Sequence, residues 1–136
     1  MLPCGRQGTH PRSDLSTDIA AAARALSTAA EIVNTAGLDL LVDLSHVVAS
    51  GGHEADAVRR FGDRIRHVHM RDAVLGDINR SIGRGQVDFP AAISALAAAG
   101  YRGHYSLEFE THDIDDVDRP AEAGRAGRYI SELLRP

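Results

Sequence analysis

The chain has 136 residues, of which 43% are apolar and 25% are charged, and its formal net charge is −4. This length predicts one domain with a modest core, and the negative charge argues against non-specific nucleic-acid binding, which needs a basic surface. No apolar run approaches the roughly 18 residues of a membrane span, and the single Cys4 cannot form an internal disulfide. We therefore expect a cytoplasmic protein that binds neither membranes nor nucleic acid.

Helix signals recur along the chain after an irregular beginning. Residues 1–14 are rich in Gly, Pro and Arg and are predicted to form an irregular lead-in, followed by one domain over residues 15–136. A helix is predicted from residue 16 to Gly37, because apolar residues recur there at three- and four-residue steps. Three further helices are predicted around Phe61, from Asp88 to Gly100, and after Pro120.

Three short strand-like runs, residues 38–44, 65–70 and 104–109, separate these helices. In each run, one of the two alternating faces is apolar and the other carries polar or ionisable side chains. Strands that alternate with helices favour parallel βαβ units. A doubly wound sheet needs strands that are apolar on both faces, because helices cover both. A barrel wall, with helices outside and an active-site mouth inside, agrees better with one-sided strands.

Asp43, His69 and Glu108 lie near the carboxyl ends of the three runs. Carboxylate oxygens and imidazole nitrogens are suitable ligands for zinc, manganese and other divalent ions. A convergent Asp/His/Glu metal site is therefore the leading hypothesis. The alternatives are an aspartate that begins a turn, a strand face in solvent that bears histidine, and a glutamate on a solvated edge.

Two further histidines accompany these residues. His46 follows Asp43 by three positions and is predicted to lie in the loop after the first strand, where a surface histidine is the alternative. His67 shares a strand face with His69, so one ring could bind a metal while the other supports it. His69 is nearer the strand end and is the better ligand candidate.

Residues 71–87 are predicted to form a long loop punctuated by glycine. Arg71 and Asp72 begin this loop, where residues would meet a substrate. The stretch Gly83-Arg84-Gly85 lacks the pattern of a phosphate-binding P-loop, and a flexible connection is the alternative. Arg84 could nevertheless contact a phosphate or a sugar oxygen. Glu110, further along the third strand, is a second carboxylate candidate.

Four stretches together resemble the C-terminal half of the xylose isomerase-like TIM-barrel superfamily. They are VDLSH (42–46), DRIRHVHMRDA (63–73), IGRGQVDF (82–89) and AGYRGHYSLEFE (99–110), and the similarity covers residues 9–134. This superfamily includes sugar-phosphate isomerases, ketose epimerases, inosose-processing enzymes and zinc apurinic endonucleases. The resemblance implies a partial (β/α) TIM barrel with about three parallel strands that alternate with four helices.

The resemblance also implies roles for individual residues. Asp43, His69 and Glu108 match three of the family's four metal ligands, and His46 matches the histidine that faces the substrate. Arg84 lies in a loop that the family uses near its substrate. The implied function is a metal-dependent sugar or sugar-phosphate isomerase or epimerase. A divalent ion (Mn, Zn, Mg or Co) would polarise a carbonyl, Glu108 would be the catalytic base, and His46 would orient the substrate.

Three departures from the family pattern leave other functions open. The position nearest the family's first ligand, a glutamate, is Gly8, and Asn79 replaces a histidine of the endonuclease branch. A whole barrel also needs eight strands and typically about 250 residues. The alternative is a non-catalytic, truncated barrel fragment that folds within a homo-oligomer or with a complementing chain. A zinc-dependent phosphodiesterase is a third possibility, against which Asn79 argues.

Overall fold

A computed structural model describes residues 15–110 and 112–135, with side chains from residue 24 onward. The predicted lead-in at residues 1–14, including Gly8, lies outside the described residues. The helices are α1 Leu15–Ala36, α2 Leu44–Ala49, α3 Glu54–Phe61, α4 Phe89–Ala98 and α5 Arg119–Leu133. The strands are β1 Leu40–Asp43, β2 Ile65–Met70, β3 Asp72–Val74, β4 Asp77–Arg80 and β5 His104–Leu107. No helix in this part of the chain is both long and apolar enough to cross a membrane.

Strands β1, β2 and β5 form one parallel sheet in the order β1-β2-β5. Helices α2 and α3 connect β1 to β2, and helix α4 leads from the hairpin after β2 to β5. The predicted alternation of parallel strands with helices is confirmed, and the strands of the described residues do not close into a barrel. The register places Asp43 beside His69, and His69 beside Ser106. Polar side chains of neighbouring strands are thereby aligned in rows across the sheet.

The hydrophobic core lies between the sheet and its helices. Val42, Val68 and Met70 come from the apolar faces of β1 and β2, and all three are buried. They join Phe89 and Leu96 of helix α4 in one cluster, which also includes residues of α1, α3 and α5. The predicted one-sidedness of these strands is confirmed, because their apolar face packs against helices while the other face stays open for polar groups.

Two elements of the structure were not predicted. Helix α2 begins directly after β1 because the carboxylate of Asp43 accepts a hydrogen bond from the backbone N–H of Ser45 and caps the helix. Within the predicted loop, β3 and β4 form an antiparallel hairpin. Its turn contains Gly76 at φ +77°, a left-handed conformation that glycine adopts without steric cost. Both elements are short, so neither presents enough residues for a clear periodic pattern.

Candidate functional site

The three predicted ligand residues converge at the carboxyl end of the sheet. Asp43 ends β1, His69 is the neighbouring residue of β2, and Glu108 follows β5 directly. His69 Nδ1 lies 2.6 Å from Glu108 Oε2 and 3.7 Å from Asp43 Oδ2. One ligand atom from each residue lies within 4.8 Å of the others, and all three residues are partly buried. The structure thus brings together one imidazole nitrogen and two carboxylate oxygens.

Asp43 has different partners for its two carboxylate oxygens. Oδ1 accepts hydrogen bonds from the backbone N–H of Ser45 at 2.8 Å and from the Ser45 hydroxyl at 2.6 Å. Ser45 is fully buried, so its two donors are held in place. Oδ2 therefore faces His69, and the orientation of the carboxylate follows from the first turn of helix α2. Ser45 is a residue that the sequence analysis did not single out.

The two carboxylate oxygens of Glu108 also have different partners. Arg71 Nη1 donates to Oε1 at 2.8 Å, which leaves Oε2 for His69. The Arg71 side chain is only 4% exposed, and its Nη2 also donates to Asn79 Oδ1 and, at 3.3 Å, to Glu110 Oε2. The prediction that Arg71 meets a substrate in an open loop is wrong, because its charge is buried among these acceptors. Glu110 is largely exposed, and its contact is with Arg71 Nη2.

His67 lies next to His69 on the same face of strand β2. Its Nε2 lies 2.7 Å from the hydroxyl oxygen of Ser106. Its ring packs edge-on against the ring of His69, with centroids 5.3 Å apart and an interplanar angle of 82°. The rings of His67 and His69 are thus in contact, and the support of a metal-binding ring by its neighbour stays a prediction.

His46 lies in helix α2, so the prediction that places it in a loop is wrong. It is close to the cluster, whereas Arg84 contacts a different part of the chain. His46 Nε2 is 3.9 Å from Asp43 Oδ2, and its side chain is 63% exposed, so a bound molecule could reach it. Arg84 is exposed, and its Nη1 donates to the backbone carbonyl of Asp113 at 3.3 Å. Within the described part of the chain, no hydrogen bond or ion pair joins Arg84 to Asp43 or Glu108.

Asp72 organises the loop that carries Arg84. Its Oδ2 accepts from the backbone N–H groups of Gly83 at 2.7 Å and Gly85 at 2.9 Å. Its Oδ1 accepts from those of Ala73 at 2.8 Å and Val87 at 3.1 Å. Asp72 is almost completely buried. The prediction that Asp72 meets a substrate is therefore wrong.

The opposite side of the same loop is held by helix α5 and the segment that precedes it. Ser81 donates from its backbone N–H and its hydroxyl to Asp113 Oδ1, at 3.0 and 2.9 Å. Arg125 donates to the carbonyl oxygen of Ile82 and to the carboxylate of Glu122. The hydrogen bond from Arg125 lowers the pKa of Glu122, against the opposing effect of burial. The loop is thus fixed from both sides, and Arg84 extends from a rigid support.

The donor set of the cluster suits a divalent metal ion. Imidazole nitrogen and carboxylate oxygen are both ligands of zinc, and manganese also accepts carboxylate oxygens. Three protein ligands leave further positions for water or a substrate, as catalytic metal sites require. The anchoring of Asp43 by Ser45, of Glu108 by Arg71 and of His69 by His67 corresponds to the supporting contacts that orient metal ligands.

Comparison with known proteins identifies similar sequences. The profile of the family described as xylose isomerase-like TIM barrel matches residues 3–133. Inosose dehydratase of Geobacillus thermodenitrificans is 32% identical over 114 residues, which is 70% of this chain and 38% of that relative. The rhizopine catabolism protein MocC of Rhizobium meliloti is 36% identical over 90 residues, 52% of this chain and 27% of that relative. An inosose dehydratase of Clostridium botulinum is 28% identical over 112 residues, 68% of this chain and 37% of that relative. The chain therefore spans well under half the length of these relatives.

Proposed function

We propose that this chain, which belongs to the xylose isomerase-like TIM barrel family, contributes the metal centre of an enzyme that modifies a sugar, a sugar phosphate or a related polyhydroxylated carbonyl compound. The observation that carries this proposal is the convergence of Asp43, His69 and Glu108 within 4.8 Å. The names of the similar inosose dehydratases and of the MocC protein support a small polyhydroxylated substrate. Asp43, His69 and Glu108 would hold a divalent ion, namely Mn, Zn, Mg or Co.

The proposed chemistry is removal of a proton next to a carbonyl group. A divalent ion bound here would polarise the carbonyl and the adjacent hydroxyl and make the neighbouring C–H more acidic. Glu108 would accept that proton, because its Oε2 faces the site while Arg71 holds Oε1. Return of the proton to the former carbonyl carbon completes an isomerisation. Return of the proton to the opposite face of the carbon that lost it completes an epimerisation. If the next carbon instead lost its hydroxide, which takes up one proton and leaves as water, the reaction would be a dehydration.

Two residues are proposed to bind the substrate. The His46 imidazole is exposed beside Asp43, where it can exchange a hydrogen bond with a substrate hydroxyl and orient it. Arg84 is exposed on the loop fixed by Asp72, so its guanidinium is available to a phosphate or a sugar oxygen. We assign His46 a catalytic and binding role and Arg84 a binding role alone.

Metal binding by the full chain tests this proposal directly. We expect calorimetry to show micromolar binding of Mn²⁺ or Zn²⁺ that is weakened in His69→Ala and Asp43→Ala. The loss is expected to exceed the roughly 10- to 100-fold effect of removing a supporting residue, because a direct ligand is lost. His104→Ala is the matched control, since His104 is an exposed histidine at the opposite end of β5. No micromolar binding by the unaltered chain, or equal binding by His69→Ala, would reject the proposal.

Proton abstraction has its own assay. Isomerisation, epimerisation and dehydration share removal of a substrate proton as the first step, and deuterium enters the substrate when the protonated base exchanges with the solvent before it returns the proton. Nuclear magnetic resonance of candidate ketoses and inososes in D₂O would detect the exchange, and Glu108→Gln is expected to abolish it. Exchange that persists in Glu108→Gln would exclude this residue as the base.

A second candidate is a non-catalytic module that acts as part of an assembly. Leu41 lies in the edge strand β1 and Leu38 precedes this strand, and both side chains are 51% exposed. Ile32 of helix α1 is 59% exposed. Strand β1 pairs with β2 alone among the described strands, so its other edge offers unpaired backbone groups. This candidate predicts stable self-association or association with a complementing chain. Light scattering that shows a well-behaved monomer would count against it.

A further inference from the structure

We propose that Arg71 is a positioning residue that fixes the Glu108 carboxylate through the planar fork of its guanidinium, so that Oε2 is presented to His69. This inference rests on the proposed function, because it concerns how the metal centre is kept in order. Arg71 would touch neither the proposed metal nor the proposed substrate, and it would act through Glu108.

The contacts of Arg71 span three parts of the chain. The residue itself follows β2, its Nη1 donates to Glu108 after β5, and its Nη2 donates to Asn79 on β4 and to Glu110. Because the side chain is buried, these acceptors define a single orientation for the guanidinium. Guanidinium presents several donors in a rigid plane, whereas a lysine ammonium is a point charge that cannot hold several separated acceptors in this way.

Glu108 needs such a support. It lies just beyond the last residue of β5, and its side chain is about one-third exposed. A backbone hydrogen bond from Glu108 N to the carbonyl of Met70, at 3.2 Å, fixes the main chain but not the carboxylate. A glutamate side chain has several rotatable bonds, and the 2.8 Å contact with Arg71 Nη1 selects the rotamer in which Oε2 faces His69 Nδ1.

The charge of Arg71 and its geometry would affect metal binding in opposite directions. A positive charge beside a cation site weakens metal binding, whereas a correctly placed Glu108 strengthens it. Arg71→Lys separates the two effects, since it keeps the charge and removes the fork. Arg80→Lys is the matched control, because Arg80 lies on strand β4 and its ion pair, at 2.9 Å, is with Asp77 and not with a residue of the cluster.

We expect Arg71→Lys to weaken Mn²⁺ binding by roughly 10- to 100-fold, and Arg80→Lys to change it by less than about twofold, in calorimetry on the full chain. The d–d absorption of bound Co²⁺ is expected to change in Arg71→Lys but not in the control, because the position of Glu108 alters the coordination. If Arg71→Lys does not fold, Asn79→Ala takes its place. That variant removes one anchor of Arg71, keeps its charge, and is expected to weaken Mn²⁺ binding in the same direction by a smaller factor.

A metal-free measurement separates this inference from the proposed function. We expect Arg71→Lys and Glu108→Gln to be non-additive in urea unfolding of the metal-free chain, because each removes the same contact. If the unaltered chain binds no ion, the proposed function fails and this coupling alone decides whether Arg71 holds Glu108. Additive effects in the cycle, or an Mn²⁺ affinity of Arg71→Lys equal to that of the unaltered chain, would overturn the inference.

Discussion

Replacing Asp72 with asparagine is expected to release the loop that carries Arg84. The carboxylate of Asp72 accepts four backbone hydrogen bonds, two at each oxygen, from Ala73, Gly83, Gly85 and Val87. Asparagine has nearly the same shape but presents an NH₂ group where one of the two oxygens was. Whichever way the amide is oriented, two N–H donors lose their acceptor and face another donor instead.

The magnitude follows from these contacts. A hydrogen bond to a charged group contributes about 1.5–3 kcal/mol, so two lost bonds destabilise the loop by roughly 3–6 kcal/mol. The residue is 1% exposed, so water cannot easily replace the lost acceptor. Whole domains are stabilised by about 5–15 kcal/mol, so Asp72→Asn is expected to remove a large part of the free energy of unfolding.

Urea unfolding followed by circular dichroism measures this loss, and hydrogen exchange at Gly83, Gly85 and Val87 shows whether the loop itself has opened. Asp77→Asn is the control, because Asp77 is partly exposed and accepts one backbone hydrogen bond, from Asn79 at 2.9 Å. We expect the control to lose about 1 kcal/mol. The reasoning is refuted if Asp72→Asn unfolds within about 1 kcal/mol of the unaltered chain and its loop amides stay protected.

Three further predictions concern stability. Gly85→Ala is expected to cost more than about 3 kcal/mol in urea unfolding, because a Cβ atom there would lie 2.1 Å from Asp72 Oδ1. Gly127 lies inside helix α5, and no atom lies within 4 Å of the Cβ that Gly127→Ala would add. Gly127→Ala is therefore expected to stabilise the protein by about 0.5–1 kcal/mol. If Gly85→Ala were the more stable of the two variants, both predictions would be contradicted. Burial, followed by the charge of Tyr105, raises the pKa of Tyr101 from 10.0 to about 12. The protonated Tyr101 hydroxyl therefore contributes fully to stability below pH 10, and this contribution is lost as the pH rises towards 12. In unfolding measurements over this pH range, Tyr101→Phe is expected to flatten the decline in stability. An unchanged decline would refute this prediction.

The convergence of Asp43, His69 and Glu108 could be predicted from the sequence because it depends on local rules. Alternation assigns each residue to a strand face, and the parallel connection of βα units brings the carboxyl ends of the strands to one edge. Strand β2 was predicted with its observed bounds for the same reason, since its six residues alternate clearly. Strand β1 ends earlier than predicted because Asp43 caps the following helix instead of continuing the strand.

The burial of Arg71 and Asp72 could not be predicted in this way. Arg71 is stabilised by acceptors 37 and 39 residues away along the chain, and no local pattern indicates that these acceptors surround it. Composition alone favours an exposed position for both residue types, because arginine and aspartate are rarely buried without partners. Asp72 becomes buried because the Gly83–Gly85 segment folds back over it and brings several N–H groups within reach of its oxygens.

The charges around the cluster give a physical reason for a cation at this site. Asp43, Glu108 and Glu110 place three carboxylates at and beside the cluster, whereas the one guanidinium, that of Arg71, pairs with Glu108 and Glu110. With the histidines counted as uncharged, this leaves a formal excess of two negative charges. Asp43 contributes most to the imbalance, because its side chain is 11% exposed and its firm partners are the neutral donors of Ser45. An uncompensated carboxylate is costly in a partly buried position. A divalent ion between Asp43, His69 and Glu108 would balance this excess while each carboxylate kept its second oxygen on the residue that anchors it.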